Sequence, residues 1–200
     1  MGGAFKKSVE LDAVIVFADE AGFSMVPCLK RMWAPVGKTP IVKHRNRWHR
    51  KVSVIGAMAI FPDGSAPQLL SDWHPDRHVK KEEAAAFLRK LLAHLAGRHV
   101  IVIWDKLQAH RSKLVRQVVA DHPNLETHHL PSYAPDLNPV EMVWSLSKHH
   151  RMANHGIDDL PTLETQARRN VAQIGDNPQL LHACIQHAGL HHALNQVSAQ

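Results

Sequence analysis

The sequence predicts an α/β domain: a mixed β-sheet flanked by α-helices. Three observations predict it. Residues 13–18, 52–60 and 100–104 are short apolar runs rich in β-branched side chains, which is strand composition. Turn residues Pro62, Asp63 and Gly64 fold the early strands back as hairpins. From residue 80 onward, helical and strand patterns alternate, which is the order of crossover connections and parallel strands.

In chain order, the first run reads as a buried strand that ends at Asp19 and Glu20, with Gly22 as a turn residue. Pro35, Gly37 and Pro40 break up an irregular stretch. Residues 52–60 form a second central strand, and 67–73 its hairpin partner. Residues 80–95 have helical composition, with Phe87, Leu88, Leu91, Leu92 and Leu95 on one stripe and Gly97 as a stop. The run 100–104 is a parallel strand ending in Asp105. A short helix over 112–120 and a last strand over 125–130 follow. Pro131, Pro135 and Pro139 stiffen the next loop, and Pro139 suits the first position of a helix carrying Glu141, Val143, Trp144 and Leu146. Pro161 starts another helix, and Asn177-Pro178 a last one that ends near Gly189. Residues 1–11 read as an N-terminal extension or linker, 12–155 as the α/β core, and 156–200 as a C-terminal helical segment packed on it.

Hydrophobic residues make up 44% of the chain and charged residues 21%, so a sizeable core is available and extensive disorder is excluded. The net charge of +6 suits a polyanionic partner, because Lys and Arg release counterions from phosphate, although a basic soluble protein has the same balance. Cys28 and Cys184 form no CxxC pair, which fits a reducing cytosol. The N-terminus has no apolar signal core, and no run reaches the length of a membrane span. No GxxxxGK[ST] loop or GxSxG elbow occurs, which argues against ATP use and serine-hydrolase chemistry.

Asp19 and Asp105 each follow an apolar strand, and groups just beyond strand carboxyl ends line the functional crevice of α/β sheets. Glu141 falls in the first turn of a later helix. Converging carboxylates repel one another unless a cation joins them, and hard divalent cations favour oxygen ligands. Spacing alone also allows three ordinary surface acids, the Glu serving only the helix dipole.

Three segments go further: Phe17-Ala18-Asp19-Glu20-Ala21-Gly22-Phe23, Ile103-Trp104-Asp105-Lys106-Leu107-Gln108-Ala109-His110, and the run 130–144, with Tyr133, Pro135, Leu137, Asn138, Pro139, Glu141 and Trp144. They resemble, in order and spacing, the three acidic motifs of DDE-type transposases. The resemblance is to the mariner-like bacterial insertion-sequence branch, the 630-type family, and it spans nearly the whole chain. It implies an RNase H-like fold, with Asp19, Asp105 and Glu141 catalytic and binding Mg²⁺ or Mn²⁺, as two ions. It implies hydrolysis at the ends of an insertion sequence and strand transfer into target DNA, by a homodimer on DNA in the bacterial cytosol. Only about a dozen residues precede the first acidic strand. The expectation is therefore a truncated copy, a downstream frame or a separated module, with any helix-turn-helix part encoded elsewhere. Loss of catalysis, leaving a nucleic-acid-binding or oligomerising remnant, is the alternative.

For the DNA surface, the basic stretch 43–51 contributes Lys43, Arg45, Arg47, Arg50 and Lys51, with Trp48 able to stack on a base or to sit in the core. Lys106 either contacts phosphate or is merely solvated. His110 either orients a phosphate or caps a loop or helix. Lys148 begins a second basic group behind Glu141. Glu20, next to Asp19, should point to the opposite side of an extended strand. A zinc reading of His182, Cys184, His187 and His191 is disfavoured, because Cys184 is offset from the histidine face and no ligand pair precedes it.

Overall fold

The computed structural model describes residues 2–42, 50–132 and 134–190. A helix α1 (Gly2–Leu11) leads into β1 (Val14–Ser24), β2 (Lys51–Ile60) and β3 (Gln68–Pro75). Then come α2 (Lys81–His94), β4 (Val100–Trp104), α3 (Lys113–Asp121) and β5 (Leu125–His129). A single 3₁₀ turn precedes α4 (Pro139–Ser145), which continues as a wider π-type turn over Leu146–Arg151. Helices α5 (Leu160–Gly175) and α6 (Pro178–His187) follow.

The five strands form one sheet in the order β3-β2-β1-β4-β5. β1, β2 and β3 are antiparallel neighbours, and β1, β4 and β5 are parallel. The mixed sheet expected from the chain order is therefore present. Strand alternation gives it two apolar faces. Ile15, Phe17, Met58, Ile60, Ile101 and Ile103 pack with side chains of α4, α5 and α6. Val14, Val16, Ile55, Val100, Val102 and Trp104 pack against α2 and α3 on the other face. Among the described residues, no helix is long and apolar enough to cross a membrane.

Local chemistry ends the helices where expected. Asn138, Asp159 and Asn177 each accept a backbone N–H from the first turn of α4, α5 and α6, and each is followed by Pro at one of the first two positions. Ser112 caps α3 in the same way.

Two expectations need correction. β1 does not stop at Asp19: it runs on to Ser24, and Gly22 lies inside it opposite Ser53 of β2. The acidic pair and the glycine look like stop signals, but the unbroken antiparallel ladder with β2 outweighs weak local propensity. Residues 1–11 are not a bare linker either. Ala4 of α1 is buried, and Phe5 lies 6.5 Å from Phe17, so this helix covers part of the sheet.

Candidate active site

The parallel ladder between β1 and β4 pairs Val14 with Val100 and runs to Phe17 opposite Ile103. Beyond that point β4 ends, while β1 continues beside β2. Asp19 and Asp105 keep the offset of 86 residues that relates Val14 to Val100, so they stand level where the two strands part. This is the crevice position that parallel strand ends create. Helix α4 lies across it and brings Glu141 in its first turn. Asp19, Asp105 and Glu141 line one open cleft of about 500 Å³, together with Lys106, Pro135 and Asn138.

The electrostatics agree with that convergence. Burial, with Glu141, Glu20 and Asp105 nearby, pushes the Asp19 carboxyl up to about 8, against the opposing hydrogen bond from Trp144. Glu141 is also raised, by burial and by Asp136 and Asp105, while Lys148 pulls the other way. Lys148 is itself lowered by burial, with Glu141 and Asp19 opposing. Two acids held toward their protonated forms, Asp19 and Glu141, with Asp105 lining the same open cleft, are a donor set suited to a hard divalent cation.

Two hydrogen bonds dock α4 on β1. Asn138 caps the helix with its Oδ1 and donates from Nδ2 to the Ala18 carbonyl at 3.1 Å. Trp144 donates from Nε1 to Asp19 Oδ2 at 2.8 Å. Its ring is buried, edge-on to Phe23, and lies over Gly56 of β2, the residue paired with Asp19.

Glu20 does point the other way, as alternation requires. It meets His110, whose Nε2 lies 2.6 Å from Glu20 Oε1. His110 Nδ1 lies 2.8 Å from Asp105 Oδ1, and the ring stacks on Trp104 at 4.0 Å between centroids. Burial opposes charging of this imidazole, but the hydrogen bond to Glu20 and the charges of Glu20 and Asp105 outweigh it and hold the ring above its ordinary range. Glu20, Asp105 and His110 are also the set whose donor atoms all lie within 4.8 Å of one another among the described residues. His110 already bridges the two acids there, so the set is an ion-paired network.

The expected DNA contacts divide. The His110 side chain is 1% exposed and lies between the carboxylates of Glu20 and Asp105. Lys106 is exposed at the cleft mouth, with Nζ 3.3 Å from Ser132 Oγ. Lys148 is half-buried, with its ammonium 5.4 Å from the Phe23 ring centroid. Arg50 pairs with Asp76, and Lys51 opens β2. Lys43, Arg45, Arg47 and Trp48 lie outside the described residues, as does His191. Cys184 is buried in the core, and burial pushes its thiol up to about 11, against the thiolate a zinc site needs.

Sequence reasoning missed the roles of Gly56 and Trp144 and the Glu20–His110 pair. The spacing of Glu141 and Trp144, three apart on one helix, was the available signal for the second of these.

A model of the DDE superfamily endonuclease family matches residues 14–164. The chain belongs to that family. No curated protein matches this DDE endonuclease in sequence. Solved structures do. The mariner Mos1 paired-end complex with Mg is similar with a TM-score of 0.63 and 20% identity, over 96% of this chain and 58% of that one. The Mos1 strand transfer complex follows at 0.58 and 19%, over 94% and 58%. The isolated catalytic domain of Mos1 mariner transposase gives 0.51 and 15%, over 94% of this DDE endonuclease and 87% of that chain. At these identities the likeness shows the fold, which is the RNase H-like arrangement expected. The DDE endonuclease spans about 58% of the length of the Mos1 chains in the two DNA complexes.

Proposed function

We propose that this DDE endonuclease is the catalytic domain of an insertion-sequence transposase, of the bacterial mariner-like, 630-type branch. The observation that carries the reading is the convergence of Asp19, Asp105 and Glu141 on one cleft at the parting of β1 and β4. The fold likeness to Mos1 complexes whose names specify paired transposon ends, Mg and Mn supports it.

The three carboxylates would hold Mg²⁺ or Mn²⁺, as two ions. Such ions supply Lewis-acid stabilisation of the attacking and leaving oxygens of a phosphoryl displacement. A water oxygen attacks the phosphodiester at the element end and the 3′-oxygen leaves as a hydroxyl; that hydroxyl then attacks a target phosphodiester, forming the new P–O bond as the target's own P–O3′ bond breaks and its 3′-oxygen leaves as a hydroxyl. The chain's own residues position this chemistry. The cleft is open, so a duplex backbone can approach the acids. Lys106 at its mouth is placed to neutralise a phosphate, and Lys148 supplies positive charge behind Glu141. Lys43, Arg45, Arg47, Trp48, Arg50 and Lys51 are further proposed DNA contacts, on the strength of their charge and aromatic character in the sequence. The proposed catalytic core is 12–155 and the proposed C-terminal segment 156–200, of which α5 and α6 are seen to pack on the sheet. A homodimer, a separately encoded helix-turn-helix part and a bacterial cytosolic setting complete the proposal.

The test is nicking of element-end DNA with Mg²⁺ or Mn²⁺, with the helix-turn-helix part supplied. The parent chain should nick the DNA and Asp105→Asn should abolish it. Unchanged cleavage in the variant refutes the assigned site; a parent that never nicks makes the chain a binding remnant.

A further inference from the structure

The triad acids account for the cleft but not for the way α4 is seated. Trp144 and Glu141 lie three apart on one helix. Asp19 is paired with Gly56 across the β1–β2 ladder. At Gly56 a Cβ would fall 2.5 Å from Trp144 Cη2 and Cζ2, closer than real contacts allow, so the indole occupies the space a side chain would take. The benzo part of the ring thereby lies against Gly56, and Nε1 donates to Asp19 Oδ2 at 2.8 Å. An indole N–H is a donor with one direction, fixed by the ring. Here the ring is buried and packed edge-on against Phe23 at 6.3 Å. The bond therefore restricts Asp19 to one orientation, with Oδ2 engaged by the indole.

We infer that Trp144, seated in the slot left by Gly56, is a positioning residue that pre-orients the Asp19 carboxylate for a divalent cation. The inference rests on the reading of Asp19 as a metal ligand. Its physical basis is that carboxylate ligands need a supporting hydrogen bond to hold their geometry, and loss of such a partner weakens metal binding about 10–100-fold. The indole does not touch the ions or the DNA. It acts through Asp19, and the same helix that brings one acid fixes another. Asn138 provides the companion tie, to the Ala18 carbonyl one residue earlier.

The test is Trp144→Phe in the full chain, which keeps an aromatic filler and removes the donor. Mn²⁺ binding is read by calorimetry and the metal-free fold by circular dichroism melting. Nicking of an element-end duplex is followed against Mn²⁺ concentration. The expected result is a native spectrum, Mn²⁺ affinity lowered about tenfold or more, and nicking lost at low Mn²⁺ but recovering as Mn²⁺ is raised. Parental Mn²⁺ affinity in a folded Phe variant overturns this inference alone. Absence of Mn²⁺ binding in the parent overturns both it and the metal site. If the variant does not fold, the Trp144 indole N–H resonance of the ¹⁵N-labelled parent is followed during Mg²⁺ titration. A shift that saturates with binding supports the inference, and an unmoved resonance overturns it.

Discussion

Replacing Gly56 with Ala tests the slot from the strand side. An exposed strand glycine generally gains about 0.5–1 kcal/mol on becoming Ala, through the unfolded chain's lost entropy. Here the new methyl would meet Trp144 at 2.5 Å and Val140 Cγ1 at 3.2 Å, whereas ordinary contact begins at 3.4 Å. The indole must retreat by about 0.9 Å, the difference between 3.4 and 2.5 Å. Nε1 moves with the ring, so the 2.8 Å bond to Asp19 is lengthened or misaligned and weakened. Overpacking of this kind costs about 1–3 kcal/mol. A lost bond to a charged group costs roughly 1.5–3 kcal/mol more, reduced while Asp19 stays protonated. Net destabilisation of about 1.5–5.5 kcal/mol remains after the entropy gain. In a domain of this size each kcal/mol moves Tm by roughly 2–4 °C, so a fall of about 3–22 °C is expected in circular dichroism melts. An Ala variant as stable as the parent, or more so, would refute the packing argument.

Two further perturbations probe the acids. His110→Ala leaves Glu20 half-buried and unpaired, and breaking such a pair costs about 3–5 kcal/mol. Adding Glu20→Gln should recover part of it in urea melts; no recovery would show that the loss was the Trp104 stack instead. In metal-free protein Asp19 is raised from an ordinary 3.8 to about 8. A raised acid contributes stability that is full below the unfolded value and lost as pH rises to the folded one. Metal-free Tm should therefore fall as pH rises toward about 8, and the Tm gain from added Mg²⁺ should grow over the same range. His110, also raised, works in the same direction, but only as pH rises above its ordinary value of 6.5. A Mg²⁺ effect independent of pH would contradict the raised Asp19.

Much of this was legible in the sequence because it rests on local rules. The apolar runs and the Asn-Pro helix start name their elements through propensity and capping, and Pro139 sits where its missing N–H costs nothing. That Asp19, Asp105 and Glu141 would meet at one cleft was legible through motif and strand-end placement together. What could not be read depends on pairing. The length of β1 past Asp19 is set by β2, which lies far along the chain. Gly56 looks like a neutral strand residue until Trp144 is laid over it. The helical character of residues 2–11 was hidden by a start at Gly2-Gly3, poor helix formers, and emerges from packing of Ala4 and Phe5 on the sheet.

Asp19 and Glu20 are adjacent in β1 yet serve opposite faces of the sheet, one in the cleft beside Trp144 and the other under His110. This makes the centre sensitive to the parity of the strand. A single-residue insertion or deletion before Asp19 that preserved the β1–β2 ladder would swap the two acids between faces. After a deletion Glu20 would face the indole and Ala21 would stand opposite His110; after an insertion Ala18 would face the indole and the shorter Asp19 would stand opposite His110. A change of two residues would restore the alternation while shifting the acid along the strand by about 7 Å. The site therefore tolerates substitutions around it far better than indels within it, and the spacing between the start of β1 and its first acid should be among the least negotiable lengths in the chain.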